Sequence, residues 1–290
     1  MFQFLISFFL TTLLSNSLIL PVNNNLVTTN SIFPVRDFSN NSIGVEVTAK
    51  AALVVDKSTE KILFAKNEQI ALPLASITKL LTALVFLDTN PDWQKIVTME
   101  PVDEVYRAKY VYRGEKWSVK DLFNTMLIGS DNNATMALVR STGLTTADFV
   151  KQMNNKAKQI GMNSSFFLDP TGLSEKNVAS AYDIWLLAKT AWAEPLIIQT
   201  TSRSSYVLMA ENSQIVRRVI NTNLLLNSFL EIKAGKTGFI EEAGYCLTTL
   251  AANTAGNEIY LVVLGSATEN DRWQDAKALA WWTFNNWLWP

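Results

Sequence analysis

The order of strand-like and helix-like segments is the feature of this chain that most limits its fold. Apolar runs typical of strands occur at 51–65 and again between 205 and 264, whereas the region between them has helical spacing and helix caps. Strands from both ends around a helical insertion predict an α/β (α+β) fold, with an antiparallel sheet covered by helices and an all-helical lobe, at about 88–200, packed beside it. With 290 residues, 48% of them hydrophobic, the chain is long enough for a full core.

Local signals set the expected element boundaries in the middle of the chain. Strand-like pieces are predicted at 95–99 and 106–112. Ser118 and Asp121 are typical of a capping box that opens a helix ending near Ile128. Further helices are expected over 134–141, 146–160, 180–193 and 272–287, with Gly143, Gly161 and Pro195 as stops. A break between two helices is therefore expected after Ile128, where side chains can project into a cleft.

The N-terminal region is expected to lie outside the folded domain. Residues 1–22 are rich in Phe, Leu and Ile, but the apolar run is short and broken for a membrane span, so we predict a signal peptide or N-terminal anchor. There is no Lys or Arg before Arg36 and no clear cleavage site, which leaves an uncleaved anchor open; a buried terminal helix is a further alternative. Residues 23–44 are polar and without periodicity, and are predicted to be a linker.

A serine and a lysine three positions apart, Ser76 and Lys79, stand at the head of the apolar run 80–87. On a helix this spacing puts both side chains on one face, about one turn apart, so the amine can reach the hydroxyl. The pattern alone is weak, because Ser58 and Lys61 form a second copy in a polar turn of a predicted hairpin. The pair is a candidate nucleophile and base that needs support from the rest of the chain.

The composition narrows the chemistry that this chain can perform. It contains no histidine, which excludes Ser-His-Asp and Cys-His catalysis and zinc sites built on His, so a serine hydrolase needs another base. The single cysteine, Cys246, cannot form an intramolecular disulfide and is expected to be a buried, inert thiol. A formal net charge of −1 without a basic run gives no argument for nucleic acid as a partner.

Three short motifs follow one another along the chain. They are the Ser76–Lys79 pair, Ser130-Asp131-Asn132, and Lys236-Thr237-Gly238. Ser39-Asn40-Asn41 also fits Ser-x-Asn, but it lies in the predicted linker, whereas Ser130 lies at the break between two helices.

In this order and context the motifs resemble those of the penicillin-binding proteins, most closely the low-molecular-mass D-alanyl-D-alanine carboxypeptidases. The resemblance extends from about Val45 to the C-terminus, and further segments that carry it are 168–173, 180–183, 221–225, 234–239 and 243–246. It implies that 45–290 is a penicillin-binding, β-lactamase/transpeptidase-like catalytic domain. It also implies that the protein is exported to the periplasm or cell envelope, with a possible membrane tether through the N-terminus.

The resemblance assigns a catalytic role to three side chains. Ser76 would attack the carbonyl between two D-alanines and form an acyl-enzyme. Lys79 would be the base, provided that desolvation and a second cation, Lys236, lower its pKa. Ser130 would relay a proton to the leaving amine.

The resemblance assigns binding roles to the remaining motif residues. Lys236 would hold Ser130 and the substrate carboxylate electrostatically, Asn132 would bind the substrate amide, and Thr237 its terminal carboxylate. Gly238 would let the substrate approach the strand edge, and the backbone N–H groups of Ser76 and Phe239 would form the oxyanion hole. The expected partners are the peptidoglycan pentapeptide with its D-Ala-D-Ala terminus and β-lactam antibiotics, with no cofactor, no metal and no nucleic acid. A purely structural interpretation, with these residues as helix caps or a strand entry, remains the alternative.

Four functions remain in competition. A serine-type D-alanyl-D-alanine carboxypeptidase is favoured, and a D,D-endopeptidase that cleaves peptidoglycan cross-links is the nearest alternative. A class A β-lactamase needs a glutamate to activate the deacylating water, and neither Glu175 nor Glu194 has that setting. A catalytically silent wall-binding protein conflicts with the intact motifs. Many carboxypeptidases of the family continue into a second domain and a C-terminal anchor, whereas the present sequence stops at 287–290. This difference from the family favours endopeptidase activity or an N-terminal tether.

Overall fold

A computed structural model describes residues 31–39 and 42–290, and the predicted signal peptide or anchor at 1–22 lies outside them. Residues Ser31–Pro290 form one unit. Its α-helices are α1 (Lys79–Leu87), α2 (Val119–Ile128), α3 (Asn132–Ser141), α4 (Thr146–Gln159), α5 (Ala181–Ala193), α6 (Pro195–Thr201) and α7 (Glu269–Asn286). Its strands are β1 (Val35–Arg36), β2 (Ala51–Asp56), β3 (Ile62–Lys66), β4 (Leu72–Pro73), β5 (Ile96–Thr98), β6 (Lys116–Ser118), β7 (Val178–Ala179), β8 (Ser205–Met209), β9 (Val216–Ile220), β10 (Glu231–Ile240), β11 (Gly244–Ala252), β12 (Glu258–Ser266) and β13 (Trp287–Leu288).

The central sheet joins strands from both ends of the chain in the order β10-β11-β12-β2-β3, and every neighbouring pair is antiparallel. Both faces of β2 are buried, which explains its unbroken apolar run. Leu53 and Val55 belong to the core shared with the helical lobe, whereas Ala52 and Val54 belong to the core covered by α7. The predicted antiparallel sheet, built from both ends and covered by helices, is confirmed.

The predicted helices form where their caps indicated. The Ser118 hydroxyl accepts a hydrogen bond from the Asp121 amide at 3.0 Å and begins α2. Ser180 caps α5 in the same way, by accepting from the Asp183 amide at 3.0 Å. Gly161, which has a φ of +87°, follows α4. Local side-chain chemistry therefore fixes where the lobe's helices start and stop.

One local prediction in the middle of the chain is wrong, and another is confirmed but incomplete. Residues 106–112 do not form a strand but an irregular loop, because side chains at the start of α3 bind its backbone: Asn133 bonds both to the amide and to the carbonyl of Tyr106. Pro195 follows the end of α5, as predicted, and it also begins α6, since proline is well suited to the first helical position.

The described part of the predicted linker is not only coil. Val35 and Arg36 form β1, which pairs antiparallel with β13. The Arg36 guanidinium donates to the Asn286 carbonyl at 2.9 Å and lies 4.4 Å from the centre of the Trp282 ring. The strand exists because the C-terminal aromatic segment offers it both a backbone edge and a ring to pack against.

The aromatic residues near the C-terminus mainly pack inward. Trp289 donates from Nε1 to Oδ1 of Asp56 at 2.7 Å, and its ring lies 5.8 Å from that of Phe284. Trp281 is the exception, being 60% exposed. Within the described ranges, the structure contains no helix that combines the length and the apolar character needed to cross a membrane.

Candidate active site

Ser76 and Lys79 lie at the junction of a 3₁₀ turn, Ala75–Thr78, and α1. Side chains three residues apart nearly eclipse one another in a 3₁₀ turn, and Lys79 Nζ donates to Ser76 Oγ at 2.9 Å. Lys79 is fully buried, in the same core as the apolar residues that follow it. The spacing in the sequence thus becomes a direct amine–hydroxyl contact.

A loop over residues 168–177 supplies a second partner for Lys79. The lysine donates from Nζ to the Thr171 carbonyl at 2.5 Å. The Asp169 carboxylate fixes this loop by accepting from the amide of Thr171 at 2.7 Å and from that of Gly172 at 2.8 Å. Gly172, with a φ of +85°, lies so close to the nucleophile that a Cβ there would come within 2.0 Å of the Ala75 carbonyl oxygen.

The second motif lies where α2 gives way to α3. Ser130 has a φ of +58°, a left-handed conformation that costs a non-glycine residue about 1 kcal/mol. Asp131 caps α3 by accepting from the Ala134 amide at 2.8 Å, so its role is structural. Asn132 Oδ1 accepts from Lys79 Nζ at 2.7 Å. The strained turn and the helix cap together direct Ser130 and Asn132 toward the nucleophile.

The third motif lies on β10. Lys236 is buried and donates from Nζ to Ser130 Oγ at 2.8 Å and to the Thr237 carbonyl at 2.9 Å. The Thr237 hydroxyl shares a 2.6 Å hydrogen bond with the hydroxyl of Thr222. A Cβ at Gly238 would come within 2.5 Å of the Leu74 carbonyl oxygen, so glycine lets β10 pack directly behind the nucleophile.

Burial controls the charge of the candidate base. It lowers the pKa of Lys79 from its usual 10.5 to about 7, while the negative charges of Asp131 and Asp169 act in the opposite direction. Close to neutral pH, a substantial fraction of Lys79 is therefore unprotonated.

The second lysine experiences the same burial. It lowers the pKa of Lys236 well below its usual value, and the positive charges of Lys79, Arg272 and Lys109 lower it further. The sequence predicts that Lys236 would be the second cation that lowers the pKa of Lys79. The structure brings both lysines into the site, but the lowered pKa of Lys79 has burial as its cause and does not have Lys236 among its causes, whereas Lys79 does act on the pKa of Lys236.

The three motifs open into one cleft of about 750 Å³. Phe239 lies at its edge, half exposed, and stacks on Tyr245 with the ring centres 4.3 Å apart. Arg272, from α7, also lines the cleft; it donates to the Gly238 carbonyl at 3.3 Å and to Glu269 at 3.0 Å. The cleft combines a nucleophilic hydroxyl, an amine with a lowered pKa and several positively charged side chains.

Three contributions to the site escaped the sequence-based prediction. The Thr171 carbonyl is a backbone group, and its only signal was the Asp-Pro-x-Gly turn around it. The contact of Thr222 with Thr237 joins residues that are 15 positions apart along the chain, although 221–225 was noted as part of the resemblance. No pattern in the sequence indicated a role for Arg272, because it is one of several charged residues in a predicted helix rich in aromatic side chains.

The second Ser-x-x-Lys copy takes no part in the site. Ser58 donates to Oδ2 of Asp56 at 2.7 Å, and Lys61 donates to the Pro34 carbonyl at 2.8 Å.

Both Glu175 and Glu194 are exposed and lie outside the residues that line the cleft. Cys246 is buried, as predicted, and burial raises the pKa of its thiol to about 11. Over residues 31–39 and 42–290, no group of three His, Cys, Asp or Glu side chains is placed to hold a metal ion.

Comparison with known proteins identifies the family of this chain. The sequence profile of the S11 peptidase family, described as D-alanyl-D-alanine carboxypeptidase, matches residues 37–268. A D-alanyl-D-alanine endopeptidase of Pseudomonas aeruginosa is 31% identical over 242 residues, which cover 82% of this chain and 77% of that protein. The D-alanyl-D-alanine carboxypeptidase DacF of Bacillus subtilis is 31% identical over 231 residues, which cover 77% of this chain and 59% of DacF.

Solved structures have the same architecture. Penicillin-binding protein D2 of Listeria monocytogenes, in its cefotaxime-bound form, is 29% identical, with a TM-score of 0.74 over 84% of this chain and 100% of that chain. The D-alanyl-D-alanine carboxypeptidase of Mycobacterium tuberculosis is 25% identical, with a TM-score of 0.77 over 87% of this chain and 96% of that chain. The β-lactamase/transpeptidase-like fold expected from the sequence is confirmed, and the chain belongs to the S11 family of serine peptidases, the D-alanyl-D-alanine carboxypeptidases.

Proposed function

We propose that this protein is a serine-type D-alanyl-D-alanine carboxypeptidase that acts on peptidoglycan stem peptides through an acyl-enzyme on Ser76. One observation carries the proposal: Ser76 contacts an amine whose pKa is close to neutral, while Ser130, bonded to Lys236, lines the same cleft. Together these groups supply a nucleophile, a base and a proton donor, which are the requirements of acyl transfer in a chain without histidine.

The three partners of Lys79 suit an unprotonated base. The Thr171 carbonyl and Asn132 Oδ1 can only accept hydrogen bonds, so they take the two N–H groups of a neutral amine. Its lone pair then points to the third partner, Ser76 Oγ, at 2.9 Å. The hydroxyl proton passes to Nζ as Oγ attacks the scissile carbonyl carbon, and the carbonyl becomes an oxyanion that accepts from the backbone amides of Ser76 and Phe239.

Collapse of that intermediate needs an acid at the leaving amine. Ser130 Oγ donates its proton to the departing nitrogen as the C–N bond breaks, and the proton that Lys79 took from Ser76 returns to Ser130, so that Lys79 is again a neutral amine. Water then attacks the carbonyl carbon of the acyl-enzyme ester while its proton goes to the Lys79 amine. The resulting ammonium gives a proton to Ser76 Oγ as the ester C–O bond breaks, which releases Ser76 and leaves Lys79 neutral. Atoms and protons balance over the two steps.

The C-terminal carboxylate of the substrate binds at the other motif. Thr237, Lys236 and Arg272 surround the strand edge, and each can donate to an anion. A carboxylate beside Lys236 raises the pKa of that lysine, and its restored charge then disfavours a proton on Lys79. Substrate binding thus sets the two lysines into opposite charge states before the reaction.

A D,D-endopeptidase is the second candidate, because relatives in Pseudomonas aeruginosa and Escherichia coli carry that name at 31% identity. Both activities cleave a bond to the carbonyl of D-alanine and use the same acyl-enzyme. They differ in whether the leaving amine belongs to a terminal D-alanine or to a cross-linked side chain. Release of D-alanine from a muramyl pentapeptide, compared with cleavage of cross-linked dimers, separates them.

Covalent labelling by a fluorescent penicillin tests the mechanism. Penicillin-binding protein D2, a structural relative, was solved with cefotaxime and with ampicillin bound. The wild-type protein is expected to be labelled on Ser76, and Ser76→Ala is expected to carry no label. An unlabelled wild type, or a labelled Ser76→Ala protein, would contradict the proposal.

We also propose that the protein acts outside the cytoplasm, in the periplasm or cell envelope, and that its first 22 residues serve as the export signal or as a membrane tether. The apolar run at 1–22 supports export, as does the location of a peptidoglycan substrate. Cell fractionation of the full chain and of a chain starting at residue 31 tests this: the full chain is expected in the envelope fraction and the shortened chain in the cytoplasm.

A further inference from the structure

Large apolar side chains are exposed where the two ends of the described chain meet. They come from the segment before β2, from the last turns of α7 and from β13, and we call them the terminal patch: Ile32, Phe33, Phe38, Ile43, Trp281 and Leu288. Phe38 is 81% exposed and Trp281 is 60% exposed. Single exposed apolar residues are common on proteins and need no explanation, so the question is whether these residues lie together.

Arg36 and Trp282 hold several members of the terminal patch side by side. The Arg36 guanidinium lies 4.4 Å from the centre of the Trp282 ring and 6.0 Å from that of Phe38. Trp282 Nε1 donates to Ser42 Oγ at 3.1 Å, which holds the residue before Ile43 against α7. The segment before β2 is therefore fixed to the end of the helix that carries Trp281.

The pairing of β1 with β13 adds Leu288 to this surface. Leu288 lies directly opposite Val35 in the antiparallel register, and residues that are directly opposite point to the same face. The next pair, Arg36 and Trp287, points to the other face, where Trp287 packs against the hydrophobic core. Leu288 therefore points away from the core.

The terminal patch lies at the edge of the central sheet that is furthest from the catalytic strand. Phe64, on β3, lies 5.9 Å from the Trp282 ring, and Lys61 donates to the Pro34 carbonyl at 2.8 Å, so the patch adjoins β3. β3 is one edge of the sheet and β10, which carries the third motif, is the other. Four strand spacings, roughly 19 Å, separate these edges. None of the six patch residues lines the cleft.

The composition around the terminal patch suits the surface of a lipid bilayer. The range 277–290 contains four tryptophans, and Lys277 is its one charged residue. In the range 31–45 the charged residues are Arg36 and Asp37. Tryptophan and phenylalanine with basic side chains and few acids are typical of protein segments that lie between water and lipid. A water-soluble partner would give no reason for acids to be so scarce here.

The sequence that precedes the described residues points to the same partner. Residues 1–22 form the apolar run, and eight polar or small residues, 23–30, lie between them and Ser31. The chain then enters the fold through Ile32, Phe33 and β1, which belong to or adjoin the terminal patch. The part of the fold to which the apolar run is attached is therefore this edge, and not the edge with the cleft.

We propose that the terminal patch is a membrane-contact surface, with its apolar side chains at the boundary between the headgroups and the acyl chains of a bilayer. Its basic neighbours Arg36 and Lys277 then lie at the level of the headgroups. The opposite edge of the sheet, with the cleft, faces away from the lipid, where an extended polymer can reach it. This surface is separate from the active site, and the proposal does not depend on the peptidase activity.

Fluorescence from single labelled positions in the full chain tests the proposal. Cys246 is buried, so a cysteine introduced at the surface can be labelled selectively with the environment-sensitive dye NBD. Trp281→Cys and Leu288→Cys report on the patch. Val207→Cys is the control, because Val207 is an apolar residue with the same exposure as Trp281, 60%, on a strand that packs against α2 through Tyr206 and Asp121.

The labelled proteins are mixed with vesicles of phosphatidylethanolamine and phosphatidylglycerol that carry a nitroxide either near the headgroup or near the end of the acyl chain. At 281 and 288 the dye is expected to lose fluorescence mainly to the nitroxide near the headgroup and to be protected from iodide in the water, since an interfacial surface enters the bilayer only to a shallow depth. At 207 the dye is expected to be quenched by iodide and by neither nitroxide. Without vesicles, iodide is expected to quench the dye at all three positions.

Four results would overturn the membrane-contact surface. The first is a full chain that does not sediment with the vesicles, and the second is iodide quenching at 281 and 288 in the vesicle-bound protein. The third is equal quenching by the nitroxides at 207 and at 281, which would show that no face is preferred. The fourth is protection of 281 and 288 without vesicles, which would show that a second copy or another part of the chain covers the patch. Loss of penicillin labelling of Ser76, by contrast, refutes the proposed function and leaves this surface standing.

Discussion

Ser76–Lys79 and Ser58–Lys61 share a sequence pattern but lie in opposite environments. The first pair lies in a 3₁₀ turn that enters a helix buried from Lys79 to Phe86, and its amine contacts its hydroxyl. The second lies in the turn between β2 and β3, where the serine and the lysine bond to other partners, at Asp56 and Pro34. The comparison shows that the spacing brings a lysine within reach of a serine. The lysine can act as a base only where burial lowers its pKa and where hydrogen-bond acceptors hold its amine in place.

The largest effect is expected from removing the ability of the buried lysine to lose its proton. Lys79→Arg keeps the positive charge, but a guanidinium does not deprotonate in proteins, so the rate of Ser76 acylation should fall by roughly 10³-fold or more. Stopped-flow labelling with a fluorescent penicillin measures it. Lys61→Arg, the same change in the second copy, should label at the wild-type rate. Normal labelling of Lys79→Arg would refute the assignment of the base.

A smaller loss is expected when the support behind the buried pair is disturbed. In Gly172→Ala the new Cβ would collide with the Ala75 carbonyl, 2.0 Å away, and shift the nucleophile, which should slow acylation roughly 10²-fold.

Gly143→Ala is the control for this effect. Its φ of +80° gives similar backbone strain, but a Cβ there meets no atom within 4 Å. Backbone strain should cost each variant roughly 1 kcal/mol in thermal unfolding, and Gly172→Ala should lose more because of the collision. Equal acylation rates in the two variants would show that the close approach at Gly172 has no catalytic role.

The pH dependence sharpens the comparison further. Burial holds the pKa of Lys79 at about 7, so the acylation rate should rise about tenfold per pH unit below that value and level off above it. The folded state also binds this proton more weakly than the unfolded state, whose lysine has a pKa near 10.5, so this group should make stability increase with pH between about 7 and 10.5. A rate that is flat from pH 5 to pH 8 would contradict an amine base.

The smallest effect is expected at the exposed serine. Ser58→Ala removes one hydrogen bond to Asp56 in a turn that Thr59 also bonds, from its hydroxyl at 2.6 Å. The free energy of unfolding should fall by no more than about 1 kcal/mol in urea denaturation, with penicillin labelling unchanged. Slower labelling would mean that the second copy acts on the site after all.

The sequence predicted those structural features that are determined by interactions between residues close together along the chain. Ser118 and Ser180 predicted the starts of their helices, because a helix cap involves residues only three positions apart. The motif residues could be identified from the sequence, because the reactivity of a serine, lysine or asparagine side chain depends first on the residue type. The loop at 106–112 was missed because its conformation depends on Asn133, which is distant along the chain. The charge state of Lys79 depends on burial by the whole fold, which no short pattern records.

The left-handed backbone of Ser130 also has a consequence for protein engineering. Glycine adopts that conformation without strain, so Ser130→Gly is the substitution that a search for higher melting temperature would select at this position. It would also delete the hydroxyl that Lys236 holds. At position 130, a substitution that raises thermal stability therefore lowers turnover. A homologue with glycine at this position is expected to be more stable but to lack the hydroxyl that relays the proton.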